Sequence, residues 1–331
     1  MTPTLSAIVV NYRAAGELPG CLTPLLGAGA EVWMVDNASG DGATALVRER
    51  FPSVNLIENK TNEGFAAANN RALERVGGDF VLFVNPDCRI NPDSVARLTA
   101  YLSSHPEVGI AAPAIRDLQG GPVPSAHRFE TTASVLFMLA GGRSLLPGVK
   151  RFLARLAGDT TYGISFGSSE PRAVDWASGA CLLARTDLMR RLGGFDEGYF
   201  LYYEDEDLCR RVWETGSEVV FFPHARATHA GGASTHDFAH VWPELYRSLL
   251  RFQALTRPGT YPLVRGAVAV RAVLGMLLGA VRDGAYAASG RPRQHRLLAW
   301  RRILRLAVRA PSARARMAWR AQIAEEEVTR P

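Results

Sequence analysis

Short apolar runs recur along the N-terminal part of the chain, and each stops abruptly on polar residues. Residues 5–10 run into Asn11 and Tyr12, and residues 31–35 into Asp36 and Asn37. A third run covers 54–58, and a fourth, 79–84, ends in Asn85-Pro86-Asp87. Between them, residues 17–28, 41–50 and 65–76 space their apolar positions for helices. Strand and helix alternating at this spacing predict βαβ units, hence an α/β, Rossmann-like, mostly parallel sheet flanked by helices. Such sheets bind ligands at the carboxyl ends of their strands, where Asn11, Asp36, Asn37 and Asp87 fall. The pattern is that of a nucleotide-binding half-sheet. No GxGxxG or GxxxxGK[ST] follows the first run. Phosphates would then need another source of positive charge, and a carboxylate-held divalent cation is the usual one.

Two Asn-Pro-Asp triplets read differently. Asp87 closes an apolar strand and Pro86 stiffens its turn, so its carboxylate projects as a candidate metal ligand; a plain turn aspartate is the alternative. Asn91 instead precedes Pro92 and the helical run 94–101, an N-cap with proline at the first helical position. In 62–70, NEGFAAANN, a glycine and small residues let a helix approach something closely, whether a ligand or only the sheet. The rhythm breaks over 128–162, which is apolar and basic without strand punctuation. This segment suits either a buried helix pair or a mobile insertion offering Leu145, Leu146, Phe152 and Leu156 to lipid. Residues 174–184, VDWASGACLLA, predict a strand on which Trp176 and Gly179 make a sugar platform, or on which Trp176 is simply core. A short helix at 188–192, a strand at 218–222 and a Gly- and His-rich loop over 223–235 follow. His229 lies in that loop; beside a carboxylate site it becomes a candidate ligand, and imidazole suits Mn better than Mg.

The stretch 195–211, FDEGYFLYYEDEDLCRR, sets six carboxylates among five aromatics and ends on two arginines. A solvated acidic face does not need that apolar area. Carboxylates held among aromatic rings are partly desolvated, which is how a protein makes a base or a metal site. The competing reading is an acidic helix start that suits the macrodipole, with Arg210 and Arg211 pairing back and the helix beginning near Asp207.

Length and charge add a second region. A chain of 331 residues, 47% hydrophobic, accommodates one large domain and an appendage. The net charge of +6 hides an asymmetry: from residue 251 onward 16 arginines face 4 acids, whereas residues 1–250 sum to −6. The expected division is a folded body over 1–248, then a helical basic region over 249–331. A basic tail wants an anionic partner. Without the aromatic interleaving of a recognised module, and with an acidic body, nucleic acid is not expected. A basic amphipathic helix on an anionic leaflet fits better, anchored by Leu274, Leu277, Leu278, Trp300 and Trp319; the alternative is helices that pack on the body and show arginine to water. The apolar run 272–281, bounded by Arg271 and Arg282, is short of the ~20 residues a crossing needs, so no spanning helix is expected. Four scattered cysteines without CxxC spacing argue against a zinc site or disulfide framework and suit a reducing cytosol. No basic segment precedes the first apolar run, so no signal peptide is expected.

In order, IVVNYR, VDNASGDG, NEGFAAANN, LFVNPD, WASGACLL, FDEGYFLYYEDEDLCRR and HAGGAS resemble the motifs of glycosyltransferase family 2. The likeness is greatest to the bacterial rhamnosyltransferase-like group that builds cell-wall and surface polysaccharide, and it spans 5–236. The resemblance implies a GT-A fold, a nucleoside-diphosphate sugar donor, inversion at the anomeric carbon and a Mg or Mn cation. It makes the body over 1–248 a catalytic domain, with a donor half to about residue 100 and an acceptor half beyond it. By motif, Asn11 and Asp36 fall at the nucleoside, Asp36 near the base, and Tyr12, Asn37, Asn62, Gly64, Asn69 and Asn85 complete the donor side. Asp87 matches the last aspartate of the family's DxD metal motif, but Asn85 replaces the first, which adds weight to His229 as partner ligand. Asp205 matches the general base of the ED motif. Trp176, Gly179, Glu204 and Asp207 form the candidate acceptor side, with Glu204 and Asp207 tuning Asp205 or binding acceptor hydroxyls, and Arg211 paired into the acidic set. The family group implies dTDP-rhamnose as donor, with a UDP-hexose or UDP-N-acetylhexosamine as alternative. A glycan or polyprenyl-diphosphate-linked acceptor is implied, at the cytoplasmic face of the membrane. A sugar nucleotidyltransferase shares the half-sheet but wants a glycine-rich basic loop after the first strand, where 12–20 offers only Arg13.

Overall fold

A computed structural model describes residues 3–141, 169–231, 238–288 and 296–309. The chain forms two compact units, one comprising Met1–Phe129 with Asp159–His236, the other Glu130–Gly158 with Asp237–Pro331. In the first unit the elements run β1 (Leu5–Asn11), α1 (Leu18–Gly27), β2 (Glu31–Asp36), α2 (Ala43–Arg50), β3 (Asn55–Glu58), α3 (Gly64–Leu73), β4 (Phe80–Val84), β5 (Cys88–Ile90), α4 (Pro92–Ser104), β6 (Val108–Arg116), β7 (Pro122–Val123) and β8 (Ala126–His127). After α5 (Thr132–Leu139) of the second unit, the first resumes with β9 (Arg172–Ala173), β10 (Trp176–Ala177), β11 (Cys181–Arg185), α6 (Thr186–Arg191), α7 (Glu204–Glu214) and β12 (Glu218–His229). The second unit closes with α8 (Phe238–Thr256), α9 (Tyr261–Ala288) and α10 (Arg296–Arg309).

The main sheet has the order β3-β2-β1-β4-β11-β6-β12-β5, with β7 added on β6 and β9 on β12. Pairs β1–β2, β1–β4, β2–β3 and β6–β12 are parallel, while β11 and β5 insert antiparallel. Both faces are covered. Alternation along the strands sends Ala7, Val9, Leu82 and Val84 toward α1 and α4, and Ile8, Val10, Val81 and Phe83 toward α3, α6 and α7. A strand buried on both faces has to be apolar throughout, which is why these runs stand out in the sequence. β1 and β2 end on Asn11 and Asp36, and β4 on Val84, so polar side chains gather at one edge. Asn91 caps α4 as expected, its Oδ1 accepting from the Ser94 N–H at 2.7 Å. All four cysteines are free and buried.

Several expectations need correction. Residues 174–184 are not one strand: the Ser178-Gly179-Ala180 turn separates β10, which pairs with β8 in a small ladder of its own, from β11 in the main sheet. The strand expected over 218–222 runs on to His229. A register shift between Phe222 and Arg226 absorbs Pro223, after which Ala225 and Ala227 point inward and Arg226 outward. Helix α7 starts at Glu204 rather than near Asp207, because Tyr202 (φ 70) and Tyr203 (φ 68) turn the chain sharply just before it. Of the break at 128–162, α5 occupies Thr132–Leu139; Leu145, Leu146, Phe152 and Leu156 lie outside the described residues.

The second unit corrects the tail. Trp300 is no surface anchor: it is buried, with ring centroids 5.5 Å from Trp242 and 5.7 Å from Tyr246. Gly275 lets α9 approach, since a Cβ there would collide with the Trp300 indole. Trp319 lies outside the described residues. The short apolar run belongs to a longer one, for Tyr261–Val281 is 21 residues of mean hydropathy 1.7, long and apolar enough to cross a membrane by length and composition. Arg271 does not interrupt it because its guanidinium sits over the Trp300 ring at 5.5 Å.

Candidate active site

All the candidate site residues belong to the first unit. At the carboxyl edge of β1 and β2, Asn11 is fully buried. Its Nδ2 donates to Asp36 Oδ1 and to Ser39 Oγ, both at 2.9 Å, and its Oδ1 accepts from the Ala14 N–H at 3.3 Å. Asp36 Oδ2 accepts from the Ser39 N–H at 3.2 Å. Asn11 is thus spent on orienting Asp36. Asn37 is likewise a latch: its Nδ2 donates to the Gly64 carbonyl at 2.9 Å, while its Oδ1 accepts from Asn59 Nδ2 at 2.9 Å and the Glu63 N–H at 3.2 Å. Asn62 Oδ1 takes the Gly64 N–H at 3.0 Å, and Asn69 Nδ2 turns back on the Phe65 carbonyl of its own helix at 2.9 Å. Tyr12 is half-buried under the Arg13 guanidinium, 5.2 Å from its ring centre. Asn85 is half-buried and its backbone N–H donates to the Ala180 carbonyl at 3.0 Å. Of the donor set, Asn11 and Asn37 hold loops and Asn69 bonds its own helix.

The metal candidates meet. β12 pairs antiparallel with β5, registering His229 against Cys88, and this brings His229 Nε2 to 3.1 Å from Asp87 Oδ1. Burial pushes the Asp87 carboxyl up, but His229 and the backbone N–H groups of Asp87 and Gly231 outweigh it and hold the carboxyl below its ordinary range. Among the described residues no group of three or more His, Cys, Asp or Glu side chains forms a metal cage. One carboxylate oxygen and one imidazole nitrogen 3.1 Å apart are chemically suited to share a divalent cation.

The acidic helix start carries the candidate base, Asp205. Asp205 Oδ2 accepts from the Gly179 N–H and Oδ1 from the Glu206 N–H, each at 2.9 Å. Those bonds lower its pKa, yet desolvation dominates and leaves the Asp205 carboxyl above its ordinary value. Glu204 beside it is 6% exposed, its Oε2 has no hydrogen-bond partner, and burial plus the Asp205 charge push its carboxyl well up. Burial thus pushes both adjacent carboxyls up, and the Asp205 charge adds to the rise at Glu204, so the pair holds a proton more readily than free carboxyls do. Asp207 is taken up by Arg211 Nε at 2.8 Å and lies 3.7 Å from Arg210, so the expected pairing of Arg211 into the acidic set is present. Trp176 is half-buried, stacks on His127 at 4.2 Å and donates its indole N–H to the Arg128 carbonyl at 3.0 Å.

Hydrogen bonds connect the parts. Asn85 touches Ala180, whose neighbour Gly179 holds Asp205, so the end of β4 and the start of α7 share the β10–β11 turn. Gly64, at φ +87, has the Phe200 backbone so close that any Cβ would strike the Phe200 carbonyl, which accepts the Phe65 N–H at 2.9 Å. Three positioning residues stand outside the sequence-based set: Ser39, Asn59 and Asn70. Asn70 Nδ2 donates to the Phe195 carbonyl at 2.8 Å and to Glu197 at 3.0 Å, and its Oδ1 accepts the Phe195 N–H at 2.9 Å. A polar residue amid the alanines of α3 is the signal that marks it.

A family model for glycosyl transferase family 2 matches residues 6–157. The chain is 32% identical over 294 residues to the N-acetylglucosaminyl-diphospho-decaprenol L-rhamnosyltransferase of Mycobacterium tuberculosis, covering 83% of this chain and 93% of that protein. It is 28% identical over 206 residues to rhamnosyltransferase WbbL of Escherichia coli, covering 59% and 70% respectively. Among solved structures, the mannosyltransferase PcManGT of Pyrobaculum calidifontis, in complex with GDP-Man and Mn2+, aligns with a TM-score of 0.52 at 19% identity over 98% of this chain and 81% of that one. GalNAc-T7 with UDP, GalNAc and Mn2+ aligns with a TM-score of 0.53 at 15% identity over 76% of this chain, which spans 48% of that one.

Proposed function

The chain belongs to glycosyltransferase family 2, with its GT-A fold, and we propose that it moves L-rhamnose from dTDP-rhamnose to the N-acetylglucosamine of a polyprenyl-diphosphate-linked acceptor. That it is a glycosyltransferase follows from the family. The choice of sugar and acceptor is supported by the activity of the 32%-identical mycobacterial relative. The observation that carries the mechanism is the Asp205 carboxylate, fixed by the Gly179 and Glu206 N–H groups and raised by burial beside the buried Glu204 carboxyl.

The acceptor hydroxyl attacks the anomeric carbon from the face opposite the leaving group. As the new C–O bond forms, the bond to the diphosphate oxygen breaks, the diphosphate leaves with the electron pair, and the hydroxyl proton passes to Asp205. One displacement inverts the centre. A positioned base of raised pKa is worth about 10²–10⁴ in rate. Asp87 and His229 would hold Mg or Mn, which offers positive charge to the departing diphosphate. Asp36, oriented by Asn11 and Ser39, would meet the nucleoside, with Tyr12, Asn62 and Asn85 completing the donor side. Trp176 on His127 offers a flat apolar face for the acceptor sugar. Such a product belongs to cell-wall or surface polysaccharide, and its lipid carrier supports a peripheral location on the inner face of the membrane.

The test is direct. Purified protein, Mg or Mn, a short-chain polyprenyl-diphosphate N-acetylglucosamine and a panel of dTDP, UDP and GDP sugars are incubated, and products are read by mass and anomeric NMR. A rhamnosylated, inverted product made only with a metal ion is expected. Transfer from a UDP-hexose or UDP-N-acetylhexosamine instead, or retention of configuration, overturns the reading.

A further inference from the structure

Helix α9 buries one seam and exposes the other. Tyr261, Val264, Val268, Ala272, Gly275 and Gly279 repeat at three and four residues and are buried. The seam packs on α10, which runs antiparallel: Arg265 contacts the Ala307 and Val308 carbonyls near one end, and Gly275 and Gly279 meet Trp300 and Arg296 toward the other. On the outer side Leu263, Val270, Leu274, Leu277, Leu278 and Val281 are 49–72% exposed. Every exposed residue within Tyr261–Val281 is Pro, Leu, Gly, Val or Ala.

This continuity depends on two arginines being withdrawn. Arg265 donates to the Ala307 and Val308 carbonyls at 2.6 and 2.7 Å, where a cation suits the carboxyl end of α10. Arg271 lies on the Trp300 ring. The outer face of Tyr261–Val281 therefore carries no formal charge, and a soluble monomer rarely leaves so much contiguous apolar surface bare. The partner helix supplies the charge. α10 exposes Arg301, Arg305 and Arg309 at four-residue steps, with Leu298 and Val308 among them.

We infer that this hairpin is a monotopic anchor: α9 lies in the plane of an anionic bilayer with its outer face at the acyl boundary, while the α10 arginines meet lipid phosphates. Charge decides among the occupants. A second copy would bring two arginine rows together, whereas an anionic leaflet neutralises them. A crossing orientation would either carry those guanidiniums into hydrocarbon or pull Arg265 from its carbonyls. Docking of this kind would serve the lipid-linked acceptor proposed above, but flotation is measured without substrate, so the two readings fail separately.

The full chain is floated with vesicles of phosphatidylcholine alone or mixed with phosphatidylglycerol. Binding to the anionic vesicles, reversed by high salt and released by alkaline carbonate, is expected. Leu274→Glu with Leu277→Glu should abolish it while the melting curve stays in place. Arg301→Gln, Arg305→Gln and Arg309→Gln together should weaken it on the order of a hundredfold. Four results overturn the inference: no flotation of the wild type, unchanged flotation of the Leu274/Leu277 variant, carbonate-resistant protein as a crossing helix would give, or a lipid-free dimer that the Leu274/Leu277 variant dissociates.

Discussion

Replacing Asp205 by asparagine keeps the side chain's size and removes its basicity, so it isolates the proposed proton transfer. Both carboxylate oxygens accept a backbone N–H at 2.9 Å, from Gly179 and Glu206. An asparagine carbonyl keeps one of these bonds, and its NH2 must face the other N–H, a loss of about 1–3 kcal/mol. Desolvation works the other way, because the site that raises the Asp205 pKa prefers a neutral side chain. The two effects oppose each other, and the Asp205→Asn protein should fold with a modest change in stability. Turnover should fall about 10²–10⁴-fold, the range for a lost general base, or ~3–5 kcal/mol of barrier. Donor affinity should hold, since Asp36, Asp87 and His229 come from other strands. The pH profile adds a second readout. Protonating Asp205 removes the base, so the wild-type rate should fall on the acid side at a pH above the ordinary aspartate value of about 3.9, and the variant's residual rate should lose that limb. Initial rates across pH, paired with calorimetric titration of the donor, check both. Wild-type turnover in the variant would put the base elsewhere.

Glu204→Gln tests the neighbouring proton. Burial and the Asp205 charge raise the Glu204 carboxyl in the folded state, so its contribution is fully present below the ordinary glutamate value of about 4.3 and is lost as pH rises through the raised one. The variant should therefore melt above wild type on the alkaline side and not in acid; a lower alkaline melting temperature would count against a protonated Glu204. Asp87→Ala should remove the metal dependence of donor binding in calorimetry, and intact Mg- or Mn-dependent binding would end the ligand assignment. Asn70→Ala strips two backbone partners from Phe195, each worth about 1–3 kcal/mol, and should lower both the urea midpoint and kcat by loosening the segment that leads to Asp205. Trp300→Ala should cost about 3–5 kcal/mol in thermal unfolding, as a cavity in the helical unit does; an unchanged melting temperature would return Trp300 to the surface.

The strands β1, β2 and β4 were legible because burial on both faces demands unbroken apolar runs, and the cap at Asn91 because one side chain and one proline suffice to make it. The far half of β12 was not. Its inward positions are Ala225 and Ala227, too small to register as hydrophobic, and Pro223 sits in a bulge that one chain segment cannot announce. Yet that half carries His229 to Asp87. The start of α7 was hidden for another reason. Left-handed backbone at two tyrosines costs about 1–2 kcal/mol each and persists only where the surrounding structure over-determines it; Gly64 and Phe65 fix the chain just upstream at Phe200, and Asn70 fixes it at Phe195.

By itself, then, the sequence determined what local chemistry can specify: alternating strands and helices, polar residues at strand ends, an acidic run among aromatics, and a basic tail. Tertiary structure decided how those groups are used. It spent Asn11 and Asn37 on holding loops and Asn69 on its own helix, tied Asp207 to Arg211, and left Asp205 held by two backbone N–H groups beside a Glu204 with a bare oxygen. It also folded Arg265 and Arg271 inward, making a charge-free face from a stretch that reads as basic. A side chain's role depends on which partners saturate it, and those partners come from segments far apart in the chain.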